Sequence, residues 1–294
     1  MTAGYFDRVW RAQGSAGLRT AFNSLARRGR DAALEALRDS ENSFPVIFLL
    51  APEAEKLGLD AGLPERAKFA IWLVASKAGD TKRRERYARM ISPRGETPEP
   101  PRDALKWMID TGADWDGPQA GRDDYDAAID LASAHLAARF PDGESLSKIA
   151  ELIFRRNRRG LYIHDLVWGF FQTADAFALS VIAKYIMSDN QADAELACSL
   201  LGLEPPKQRA DKSAVFGRFS EWLAENRPYI YLTGEHFNLT SAPHYLSQDS
   251  EAKYLKREIH PRTRAPLTPL TEEEQSALEV FRESAVRAGG GEKI

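Results

Sequence analysis

The sequence predicts an all-α protein, built of stacked antiparallel helix pairs and completed by an irregular, aromatic-rich C-terminal arm. Three observations predict it. Apolar residues recur at three- and four-residue spacing through most of the chain before residue 227. Asp, Asn, Thr or Pro stands where such stretches begin, and Gly where several end. Strand-like patterning is confined to one short run, YIYL at 229–232, and one strand makes no sheet.

The 294 residues admit one long domain or two. An apolar fraction of 43% and a charged fraction of 28% are those of a globular chain with a substantial core. The net charge of −3 supplies no global field toward nucleic acid or an anionic membrane. The lone Cys198 leaves no intramolecular disulfide and no Cys-based zinc site, and on its Ala/Leu helix it reads as a small buried hydrophobe. The opening MTAGYFDRVWRAQGS carries early charges and no apolar h-region. The runs FPVIFLLA at 44–51 and FAIWLVA at 69–75 are too short to span a bilayer. A cytoplasmic location without a membrane partner is the expectation.

Three regions follow. Residues 1–92 form an N-terminal helical region. Leu18, Phe22 and Leu25 share a face before a stop at Gly29, and Asp31 is placed to cap a short helix carrying Leu34 and Leu37. The apolar run at 44 is expected to break at Pro52. Pro64 opens a helix apolar nearly all round and so central, and Asp80 caps a helix with Tyr87, Met90 and Ile91 inward. The Pro-rich segment 92–102 admits no helix. Residues 103–203 form a helical-repeat core. DALKWMID and a turn-rich stretch at 111–124 lead to a helix with Tyr125, Ile129, Ala132, Leu136 and Phe140 on one face. Four helices then follow across 144–203, the second with Ile163, Leu166, Val167, Phe170 and Phe171 inward, the third capped by Asp175 and the last by Asp189 or Asn190 with a stop at Gly202. Residues 204–294 comprise a linker, a helix at 213–226, the arm, and a last helix opened by a Thr271/Glu274 capping box and ended at Gly289–Gly291.

Short links make neighbouring helices antiparallel, and successive pairs of this kind are the unit of an α-solenoid. In helix length, Asp/Asn caps and Ala/Leu pattern, 144–203 resembles the HEAT-type helical repeats, although no fixed repeat period is present. That resemblance implies a right-handed helical stack and a protein partner.

The densest chemistry lies in RRNRRGLYIHDLVWGFF at 155–171. Arg155, Arg156, Arg158 and Arg159 read as the cationic end of one helix, favourable to its dipole, with Gly160 as its stop. His164 and Asp165 open the next, and His164, Trp168 and Gln172 make a second stripe beside its apolar one. As a site, the same residues offer a carboxylate-oriented histidine beside cations. Trp, Asp and Arg on a concave face also suggest a base-excision DNA glycosylase of HEAT-like form, an analogy of fold that the acidic balance opposes. The other basic runs, Lys82–Arg89 and Lys253–Arg264, read as solvated faces or local ion-pair networks. In the arm, Tyr229, Tyr231, Phe237, Tyr245 and Tyr254 suit either protein recognition or a cap over the helical stack. His236 and His244 carry the alternative of a metal-dependent hydrolase, though their spacing matches no metal signature. No phosphate loop, dinucleotide fingerprint or nucleophile elbow is present, so no cofactor is expected. The reading preferred is a non-enzymatic scaffold or adapter that binds another protein, with nucleic-acid binding as the alternative.

Overall fold

The structure is a computed structural model that describes residues 4–113, 123–209, 211–236, 238–240 and 243–287. The turn-rich stretch 114–122, Phe237 and the glycines 289–291 lie outside the described residues. The protein is all-α in the main, with helices throughout and one small sheet. It divides into two compact units, residues 1–140 and 141–294.

The first unit contains α1 (Tyr5–Arg28), α2 (Arg30–Arg38), α3 (Phe44–Lys56), α4 (Glu65–Lys77), α5 (Thr81–Ile91), α6 (Arg102–Gly112) and α7 (Asp123–Arg139). α1 is two helices joined at Gly14, whose φ of 68° and ψ of −169° no helix contains. The break folds Phe6 back to meet Phe22 edge-on at 6.0 Å. α4 is central, touching α3, α5, α6 and α7, as its all-round apolar pattern requires. α6 and α7, which the sequence pattern groups with the later helices, pack on α3 and α4 instead.

Two local expectations give way. α2 begins directly after Gly29, so Asp31 lies in its first turn and does not cap it. α3 runs through Pro52. Pro52 is exposed while Leu49, Leu50, Ala51 and Ala54 are buried around it, so continued burial outweighs one lost backbone bond.

An ionic knot ties α3 to α5. Glu55 Oε1 accepts from Arg83 Nε at 2.7 Å and from the Tyr87 hydroxyl at 3.0 Å, and Arg86 pairs with the buried Asp60 at 2.5 Å. Burial, then the Glu55 charge and hydrogen bond, push the Tyr87 phenol far above its usual 10. The folded state therefore holds a proton that the unfolded chain releases near pH 10. This stability is full below pH 10 and is lost as pH rises beyond it. In urea titrations from pH 8 to 11, Tyr87→Phe should cost about 1 kcal/mol at pH 8 and show a shallower decline above pH 10 than the native chain.

The second unit contains α8 (Gly143–Arg158), α9 (His164–Phe171), α10 (Phe177–Ala183, continued as a 3₁₀ turn over Lys184–Met187), α11 (Gln191–Leu200), α12 (Asp211–Asn226), β1 (Ile230–Leu232), β2 (Leu246–Gln248), α13 (Ser250–Leu255) and α14 (Glu272–Arg287). α8 packs on α9, α10 and α11, and α12 packs on α10 and its 3₁₀ extension. Asp142 and Asn190 cap α8 and α11 through Ser145 N–H and Ala192 N–H. α10 starts at Phe177, whose N–H donates to Asp175 Oδ1 at 2.8 Å. The capping box at α14 forms reciprocally, Thr271 N–H to Glu274 and Glu274 N–H to Thr271.

YIYL does not stand alone. β1 pairs antiparallel with β2, Tyr231 opposite Ser247. The second strand is polar and short, so nothing in its local pattern announces it.

Candidate functional site

The stretch 155–171 resolves into a helix–helix corner. Gly160 ends α8 with φ of +64°, Leu161 N–H bonds Arg156 O at 3.0 Å and Gly160 N–H bonds Asn157 O at 2.9 Å. These two bonds satisfy the last carbonyls of the helix in the Schellman arrangement. The four arginines are not gathered into one clamp. Arg156 is buried, at 5% exposure. Arg158 turns to α11, where it meets Asp193 Oδ2 at 3.0 Å, and Ser188 Oγ donates to the same oxygen at 2.7 Å. Arg155 is half-buried and Arg159 is exposed at the helix end.

Several cations of the other basic runs also pair with acids. Arg83 and Arg86 hold Glu55 and Asp60, Arg257 holds Glu274, Arg264 holds Asp249 at 2.8 Å, and Lys253 lies 3.7 Å from Glu225. Arg83, Arg86, Lys253, Arg257 and Arg264 of the two basic runs are thus each paired with an acid.

On α9, Leu166, Val167, Phe170 and Phe171 face inward and are buried. Two residues of the second stripe reach the arm. Trp168 meets the ring of His236 edge-on, with centroids 6.3 Å apart, and the Gln172 carbonyl accepts from Arg262. One turn from Trp168, Phe171 stacks flat on Tyr245 at 4.8 Å and 9°. Tyr245 is therefore a core residue, and burial raises its phenol well above the usual value. Tyr231 lies under the Arg264 guanidinium at 4.3 Å, and the Tyr229 carbonyl accepts from Asp249 N–H at 2.7 Å. These three tyrosines build the arm and fix it to the unit; the chain spends most of their surface on packing.

What remains at the surface is narrower. Trp168 is 39% exposed beside half-buried His236. Tyr162, 63% exposed, lies 5.3 Å ring to ring from His164, and its hydroxyl is 3.4 Å from Asp165 Oδ1. Leu239, 69% exposed, sits in the turn closed by its own N–H onto His236 O at 2.8 Å. Tyr162 thus meets His164, and Trp168, one turn further along α9, meets His236, with Leu239 in the adjoining turn. Tyr162 and Leu239 escape a reading of periodicity, since both lie in links between elements.

His236 Nδ1 accepts from Asn238 N–H at 3.1 Å, and His244 offers its backbone N–H to Glu235 at 3.0 Å. Among the described residues no group of three His, Cys, Asp or Glu side chains is placed to hold a metal ion. No described helix is long and apolar enough to cross a membrane. No protein-family profile, curated protein or solved structure matches the chain.

Proposed function

We propose that this protein is a non-enzymatic helical scaffold that binds another protein through the face where α9 meets the C-terminal arm. The observation that carries the reading is the exposure of Tyr162, Trp168 and Leu239 beside half-buried His164 and His236, large rings and an aliphatic tip left at the surface of a well-packed unit. Trp and Tyr are the side chains that most often anchor protein interfaces, because they bury large area at small entropic cost. The succession α8–α11, with short links and side-chain caps on α8 and α11, supports a HEAT-like, α-solenoid reading of this unit. A cytoplasmic setting fits the single buried thiol.

The test is retention of partner protein on the immobilised full chain under gentle lysis, compared with Trp168→Ala. Trp168 sits at the surface, so the variant keeps its core. Truncation should cost about 2 kcal/mol of binding, roughly a thirtyfold loss of affinity. Equal retention by both chains would reject this face.

A further inference from the structure

The hydrogen-bond register of the small sheet assigns each backbone group a direction. Thr233 N–H bonds Tyr245 O at 3.0 Å and Asp249 N–H bonds Tyr229 O at 2.7 Å. With Tyr231 opposite Ser247, the odd-numbered residues of both strands therefore point at one another, and Ile230, Leu232, Leu246 and Gln248 point their N–H and C=O groups away. On β1 that outer edge is covered: Leu232 N–H bonds Pro261 O at 2.8 Å and Pro228 O accepts from Ile259 N–H at 3.1 Å. On β2 it is not. Among the described residues, no protein group bonds the outward N–H and C=O of Leu246 and Gln248. The outward N–H of the preceding His244 is already taken by Glu235, and α13 begins at Ser250, so the open edge is short and bounded. Leu246 and Gln248 are both part-exposed.

We infer that β2 is the docking strand, and that the partner of the proposed binding face enters as an extended segment that adds a third strand to it. The inference rests on the protein-binding reading above and names how the partner is held. Two donors and two acceptors spaced for a strand recognise main chain, whatever the side chains. Side-chain selection needs anchors nearby. The connection 233–245 that joins the strands carries His236 and Leu239, and Tyr245, next to β2, stacks one α9 turn from Trp168. Edge and apolar face thus belong to the same small structure, and an extended peptide satisfies both.

Random ten-residue peptides displayed on phage, selected on the immobilised full-length protein, supply the probe. Hydrogen exchange is then read at single amides. The selected peptide should slow exchange at Leu246 and Gln248 at least tenfold, while Ser247, already bonded to Tyr231, changes little. N-methylation of the peptide along the edge facing β2 should abolish binding, and along its other edge should not; this control leaves the protein untouched. A peptide that needs Trp168 but leaves Leu246 and Gln248 exchanging freely overturns the strand addition and keeps the binding face. A peptide indifferent to both, or no selectable peptide, overturns both. A concentration-dependent dimer with those two amides protected assigns the edge to a second copy and overturns the inference.

Discussion

Phe171→Ala should destabilise the second unit by about 3–5 kcal/mol, as loss of a fully buried ring does elsewhere. Phe171 is 1% exposed, sits edge-on to Phe170 at 5.2 Å and lies flat on Tyr245. Its removal takes away the floor on which the arm rests, so the effect is not confined to α9. Urea unfolding gives the total, and hydrogen exchange at residues 229–249 gives its distribution. Faster exchange through β1 and β2, preceding global unfolding, is the expected pattern. Phe171→Leu keeps most of the volume and forfeits the ring contact, worth about 1 kcal/mol. A Phe171→Ala chain with the arm still protected would show that Tyr231, Arg264 and Asp249 hold it without the stack.

Phe44→Ala should cost a similar 3–5 kcal/mol in the first unit. Phe44 is fully buried, stacks on Tyr125 at 5.0 Å and meets Trp107 and Phe48 at 5.9 and 6.1 Å. Its neighbour Gly112 sharpens the test. A Cβ there would lie 2.8 Å from Phe44 Cδ1 and 2.7 Å from the Tyr125 hydroxyl. Gly112→Ala alone overpacks the site and should cost about 1–3 kcal/mol. In the Phe44→Ala chain the new methyl enters the space the ring vacated. The double variant should therefore lose less than the sum of the two single ones, by an amount a double-mutant cycle in urea reads directly. Additive losses would show that the cavity collapses on its own.

What was legible in the sequence was local. Asp80, Asn190 and the Thr271/Glu274 pair mark helix starts because a short polar side chain bonds backbone within three residues. Gly160 and Gly202 mark helix ends because both adopt positive φ. The inward set Leu166, Val167, Phe170 and Phe171 follows from period alone. What stayed hidden was set by partners distant in sequence. β2 has no pattern of its own and exists because Tyr231 lies opposite Ser247. Trp168 could not be sorted between core and surface, since its neighbour is His236. The same holds for Tyr245, which reads equally as a recognition tyrosine or as part of a packed cap until Phe171 is placed beneath it. Pro52 misled because its cost is local and fixed, while the burial that overrides it belongs to the whole of α3.

Cys198 has a use beyond filling the Ala/Leu face of α11. It is the chain's only thiol, fully buried, and burial pushes its ionisation up. A thiol reagent in water can reach it only after α11 has opened, and the thiolate that reacts is scarce until then. The rate at which the native protein consumes such a reagent is thus a clock on the breathing of one helix, wound into the chain with no label added.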